Sequence, residues 1–140
     1  MSVERYLDIL PEVRQAVQEN RPVVALESTI LSHGMPYPEN LAFAKKADAI
    51  IRSEGAVPAT MAIIGGRVKA GLTEDELELL CQAKDVGKVS RRDMATYIAT
   101  GLNGATTVAT TMICSAMAGV RVFATGGIGG VYDHSTNYPQ

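Results

Sequence analysis

The chain has 140 residues, 46% of them hydrophobic, enough to bury roughly 70% of its unfolded surface in one domain spanning residues 1–140. Lys and Arg number 13 against 15 Asp and Glu, a formal charge of −2, so no basic field exists to hold a nucleic-acid polymer. No apolar run reaches the roughly 18 residues that a membrane span needs. The opening Met1-Ser2-Val3-Glu4-Arg5 lacks the long apolar stretch of a secretory signal. Cys81 and Cys114 have neither metal nor redox spacing and read as free thiols of a reducing compartment, which makes a cytoplasmic location the expectation.

In chain order, apolar runs alternate with amphipathic segments. That alternation predicts an α/β fold, layered helix–sheet–helix, with a largely parallel or mixed sheet. Residues 11–19 form a candidate helix with Pro11 at a tolerated early position. Val23-Val24-Ala25-Leu26 reads as a buried strand. Leu41, Ala44, Ala47, Ile50 and Ile51 recur at helical spacing over residues 39–54, and Gly55 supplies a left-handed end. Residues 58–64 read as a second strand, closed by Gly65-Gly66. Thr73 with Glu76, and Ser90 with Asp93, predict capping boxes opening helices over 73–83 and 94–100. Residues 110–118 read as a helix of small residues and 120–124 as a third strand. The small residues of the stretch 104–111 suit a crowded helix–sheet junction, or a backbone that meets a ligand directly.

Four features bear on chemistry. Leu26-Glu27-Ser28-Thr29-Ile30-Leu31-Ser32-His33-Gly34-Met35-Pro36-Tyr37-Pro38 follows the first buried strand, and strand carboxyl ends are where open α/β sheets bind ligands. Glu27 is there either a general acid or base, or a carboxylate capping a nearby turn. His33 is a proton-transfer or metal residue, or a support for the turn that follows; without a second histidine at ligand spacing, the support reading is favoured. Lys88-Val89-Ser90-Arg91-Arg92-Asp93 sets three cations before a helix start, which is an anion site or a solvated run paired with Asp85 and Asp93. Gly126-Gly127-Ile128-Gly129-Gly130 follows the third strand; its spacing is not that of a dinucleotide loop or a P-loop.

The segments ALESTILSHGMPYPEN, GAVPATMAIIGG, GLTEDELELL, KVSRRD, NGATTVATTM and AGVRVFATGGIGGV together resemble the pseudouridine-5′-phosphate glycosidase (indigoidine synthase A-like) family. They stand in family order and cover most of residues 10–131. The resemblance implies reversible cleavage of the C–C glycosidic bond of pseudouridine 5′-phosphate to uracil and ribose 5-phosphate. It also implies a homotrimer, a divalent metal (typically Mn2+), and a Schiff base between a lysine and the opened sugar. Carried over by position, Glu27 matches the proton donor, Lys88 a substrate-binding residue near the phosphate, and Val108 a substrate contact through its backbone.

The resemblance stops after Val131. The family continues with His-Arg-Gly, then an Asp-Ile-Ser-Ala-Asp segment bearing the metal aspartate, then an Ala-Gly-x-Lys-Ser motif bearing the Schiff-base lysine. Here Tyr132-Asp133-His134-Ser135-Thr136-Asn137-Tyr138-Pro139-Gln140 follows instead. This tail is either unrelated sequence, or a short deletion places Asp133 as the metal aspartate and Ser135 as a substrate contact. Neither Lys84 nor Lys88 lies in the context of the Schiff-base lysine. The expectation is therefore the N-terminal half of such an enzyme, truncated, inactive alone, and prone to poor solubility or tight association. The alternatives are a non-catalytic sugar-phosphate-binding module, and a subunit that assembles with a full-length homologue.

Overall fold

The computed structural model describes residues 2–129. Seven strands form a mixed sheet within this range. They are β1 (Leu7–Ile9), β2 (Val23–Leu26), β3 (Val57–Ile64), β4 (Arg67–Ala70), β5 (Gly87–Val89), β6 (Gly104–Thr106) and β7 (Val122–Ala124). The helices are α1 (Pro11–Gln18), α2 (Glu39–Ser53), α3 (Glu74–Gln82), α4 (Met94–Thr100) and α5 (Val108–Ala118). Strand order is β1-β4-β3-β2-β7, with β6 on β3 and β5 on β6. The pairs β1–β4, β2–β3, β2–β7 and β5–β6 are parallel; β3 runs antiparallel to β4 and β6.

The strand β3 is the spine. Its residues alternate between two cores, as a strand buried on both faces must. Val57, Ala59, Met61 and Ile63 face a layer that holds Val13 and Ala16 of α1, Cys114 and Ala118 of α5, and the flanking Met94, Tyr97 and Ile98 of α4. Ala62 and Ile64 face the other layer, with Ala44 of α2 and Leu77, Leu80 and Cys81 of α3. The result is the helix–sheet–helix layering that the alternation predicts.

Four short strands, β1, β4, β5 and β6, lie outside the expected set. Each is three or four residues long, and Asp8, Arg67, Lys69 and Lys88 interrupt any apolar run. Gly65 and Gly66 both adopt positive φ, +57° and +76°. They therefore turn β3 back into β4 as a tight hairpin rather than merely ending a strand. At the junction predicted to be crowded, Gly104 pairs in register with Gly87. A Cβ on Gly104 would run into Val89 Cγ2 and lie 3.0 Å from Tyr97 Cδ1. The helix α5 starts two residues earlier than expected because the Thr107 hydroxyl accepts the Thr110 N–H. Both cysteines are buried, and burial pushes the Cys114 thiol up to about 12.

The outer pair β1–β4 is clamped by charge. Arg67 donates twice to Asp8, at 2.7 Å each, and Lys69 bridges Asp8 at 2.8 Å and Glu76 of α3 at 2.9 Å. The Arg67 guanidinium, and after it the Lys69 ammonium, hold the Asp8 carboxyl well below the usual carboxylate range, against an opposing effect of partial burial. A depressed folded-state pKa contributes stability above the ordinary carboxylate value, about 4, and that contribution fades as pH falls below it. Asp8→Asn should accordingly destabilise the fold by about 1 kcal/mol near neutral pH, with solvent screening allowed for. The gap between the denaturant melts of parent and variant should narrow steadily as pH falls below about 4. Gly104→Ala should cost about 1–3 kcal/mol through overpacking, read as a lowered denaturation midpoint with an unchanged slope.

Candidate functional site

The carboxyl ends of β2 and β6 meet the middle of β3 in a buried lattice of hydroxyls. Ser28, directly after β2 and Glu27, is fully buried. Its Oγ accepts the Thr106 N–H at 2.8 Å and stands 3.2 Å from Thr106 Oγ1. Thr106 Oγ1 donates to the Met61 carbonyl at 2.9 Å and accepts from Thr111 Oγ1 at 2.9 Å. A threonine hydroxyl has one proton, so the proton between Ser28 and Thr106 belongs to Ser28. Thr29 Oγ1 donates to the Thr106 carbonyl at 2.8 Å, and Thr110 Oγ1 to the Val89 carbonyl at 2.8 Å. Among the described residues, every buried side-chain polar atom has a partner.

Beyond Thr29 the chain winds through a π-helical turn, Ile30–Gly34. Buried Asn40 pins it: its Nδ2 donates to the Leu31 carbonyl at 2.7 Å and the Cys81 carbonyl at 2.8 Å. Ser32 Oγ donates to the Leu80 carbonyl at 3.0 Å. The loop that carries Glu27 is thus tied to the sheet on one side and to α2 and α3 on the other. Sequence reasoning missed Ser28, Thr106 and Asn40 as supports; a polar residue at an otherwise apolar helical position was the only available signal for Asn40.

Glu27 lines a cavity of about 230 Å³ together with Leu26, Leu31, Phe43, Thr60 and Gly126. The walls are mostly apolar, and the Thr125 hydroxyl donates to Glu27 Oε1 at 2.8 Å. Gly127 N–H in turn donates to Thr125 Oγ1 at 3.3 Å. The glycine-rich stretch after β7 therefore orients a carboxylate through Thr125. An anchored carboxylate with apolar surroundings and a second oxygen available is suited to proton transfer.

Lys88 is the middle residue of β5, and Val108 follows two residues after β6. Lys88 pairs in register with Ala105, which belongs to the core on the α2–α3 side, so its exposed side chain leaves the sheet on that face. Leu26 and Thr60 of the cavity lie on the same face. Val108 is the first residue of α5, where backbone N–H groups have no intrahelical acceptor. Arg91 and Arg92 are exposed in a 3-10 turn, and Asp93 occupies the helix entrance: its Oδ2 accepts the Ser90 N–H at 3.0 Å, and its Oδ1 lies 3.6 Å from Arg92 Nε. That run is the solvated, self-paired one. His33 is exposed at the end of its turn. Asp133 and Ser135 lie outside the described residues. Among the described residues, no three His, Cys, Asp or Glu side chains gather to hold a metal ion.

Residues 12–138 match the family described as indigoidine synthase A like protein. The chain belongs to that family. The match runs past Val131, so it includes Asp133. The pseudouridine-5′-phosphate glycosidase of Alkaliphilus metalliredigens is 63% identical over 131 residues, 94% of this chain and 43% of the relative. The Staphylococcus aureus protein of the same name is 57% identical over the same shares. The chain spans less than half the length of these curated relatives, and the stretch it matches is their N-terminal part. Among solved structures, the prealnumycin C-glycosynthase AlnA in complex with ribulose 5-phosphate aligns with a TM-score of 0.79 at 42% identity, covering 91% of this chain and 41% of that one. An indigoidine synthase A-like protein of Thermotoga maritima aligns with a TM-score of 0.80 at 33% identity, covering 96% and 44%.

Ser28→Ala strips an acceptor from a buried amide, and Asn40→Ala leaves two buried carbonyls unpaired. Each should lower stability by about 1–3 kcal/mol, measured by urea unfolding. In Asn40→Ala, the amides of residues 30–34 should also lose hydrogen-exchange protection.

Proposed function

We propose that this chain carries the acid–base and phosphate-facing part of a site for reversible C–C glycosidic cleavage of pseudouridine 5′-phosphate to uracil and ribose 5-phosphate. The observation that carries this reading is Glu27, with one oxygen held by Thr125 in an otherwise apolar cavity at the ends of β2 and β7. A carbon leaving group departs only when it gains a proton as the bond breaks, and Glu27 is the group to supply it to the uracil ring. The apolar walls suit a flat base. Lys88 provides charge, and the first-turn N–H groups of α5 at Val108 provide donors, for the sugar phosphate. The names of the relatives support the substrate class, since one acts on pseudouridine 5′-phosphate and another was solved with a five-carbon sugar phosphate.

The Schiff-base step belongs to an Ala-Gly-x-Lys-Ser lysine, and the sequence contains no such motif. We therefore expect binding without turnover from these 140 residues alone. The manganese proposal rests on Asp133; the described residues do not make a cation site, and no step is assigned to a metal. A trimeric assembly, alone or with a longer homologue, remains part of the proposal.

Ribose 5-phosphate at a hundredfold excess over Kd should stabilise the fold by about 2.7 kcal/mol, a rise of several degrees in Tm. Lys88→Ala should weaken that binding about tenfold or more, whereas Glu27→Gln should keep it. No stabilisation by ribose 5-phosphate would overturn the reading of the site. With pseudouridine 5′-phosphate and manganese, chromatography should show uracil release from the Alkaliphilus metalliredigens relative and none from this chain. Release by this chain would place the imine on another lysine, which borohydride trapping would locate.

A further inference from the structure

The hydroxyl that anchors Glu27 has more acceptors in reach than it has protons. Thr125 Oγ1 lies 2.8 Å from Glu27 Oε1 and 3.1 Å from the Gly127 carbonyl oxygen, and the Gly127 N–H donates to it at 3.3 Å. A threonine hydroxyl gives one hydrogen bond and accepts two. As a donor it therefore serves either Glu27 or Gly127. Rotation about the Cβ–Oγ1 bond carries its proton from one to the other, and no heavy atom has to move.

Charge decides which acceptor is served. Beside a carboxylate the hydroxyl points at Oε1, because a hydrogen bond to an ionised acceptor is roughly twice as strong as one to a neutral carbonyl. Gly127 is exposed, so water takes the vacated place on its carbonyl. Once Glu27 holds a proton on Oε1, the same 2.8 Å contact runs the other way. The acid O–H donates to Thr125 Oγ1, and the threonine proton turns to the Gly127 carbonyl. The hydroxyl then gives one bond and accepts two, which is its full capacity. The other residues that line the cavity, from β2, the π-helical turn, α2, β3 and β7, carry no titratable side chain, and neither Lys88 nor His33 is among them. Glu27 alone thus supplies the charge that turns the hydroxyl.

We infer that Thr125 is a two-position donor that follows the charge on Glu27, facing Oε1 when Glu27 is a carboxylate and the Gly127 carbonyl when Glu27 is an acid. It is a positioning residue: it holds Glu27 in both protonation states and passes that state on to the glycine-rich stretch after β7. A reversible cleavage needs the carboxyl to give a proton in one direction and take it back in the other, and one geometry serves both. That consequence rests on the role proposed above for Glu27; the turning of the hydroxyl does not.

The test is NMR of the isotopically labelled chain, free of ligand, through the titration of Glu27. The Glu27 carboxyl carbon reports its charge, and the Gly127 carbonyl carbon reports the hydrogen bond that it receives. In the parent the two signals should move with one midpoint. Thr125→Val should leave Glu27 titrating and hold the Gly127 signal flat, while Thr125→Ser, which restores the hydroxyl, should restore the coupling. Glu27→Gln should fix the Gly127 signal at its acid-side value at every pH, because the side-chain amide donates as the acid does. The thermal melt of each variant should match the parent, and a merely structural Thr125 would give no pH coupling to lose. A Gly127 signal indifferent to the titration of Glu27 in the parent would overturn the inference, as would one that still follows Glu27 in Thr125→Val. Ribose 5-phosphate is absent throughout, so failure here is separate from failure of the sugar-phosphate reading.

Discussion

The buried hydroxyl lattice around Thr106 is the constraint on which the rest of the site depends. Two strand ends, the middle of β3 and the start of α5 converge on one side chain, whose hydroxyl gives one hydrogen bond and takes two. Buried polar groups are costly unless paired, so the lattice tolerates one arrangement of β2, β3, β6 and α5 and penalises sliding of any one of them. Hydrogen bonds of this kind add little net stability individually. Their effect is to choose among compact packings of similar apolar content.

That choice sets where the chemistry sits. Ser28 is locked inward, so its neighbour Glu27 is delivered to the mouth of the cavity. Val89 pairs with Thr106 across the β5–β6 ladder and accepts from Thr110, so Lys88, one residue earlier, leaves on the opposite face of the sheet. The glycines serve the same geometry by allowing contact: Gly87 and Gly104 let Tyr97 lie against the paired β5–β6 ladder. A firm floor of hydroxyls and an open apolar wall are thus parts of one design. The floor is complete within the described residues, while the wall faces outward along β2, β7 and α2.

The long elements were legible because burial imposes a period. The run of β3, the apolar stripe of α2 and the Thr73–Glu76 box each carry a signal longer than local noise, and each lies within about a residue of its expected limits. The short strands were not legible. β1 and β4 are held by the Asp8–Arg67–Lys69 clamp as much as by apolar contact, and a charged three-residue strand has no period to read. The cations of residues 88–92 looked like a single group; the structure separates them, with Lys88 on the ladder and Arg92 against Asp93.

By itself the sequence determined the layered α/β architecture, the family, and the placement of Glu27 at a strand exit. All three follow from patterns along the chain: apolar periodicity, caps, and motifs in a set order. Only the tertiary structure decided that Thr125 anchors Glu27, that Ser28, Thr106 and Asn40 form its support, and that the Glu27 cavity and Lys88 share a sheet face. Those outcomes depend on contacts between residues as much as 98 positions apart. Such contacts leave no periodic trace, because a single serine or threonine becomes a keystone only when folding buries it opposite a partner.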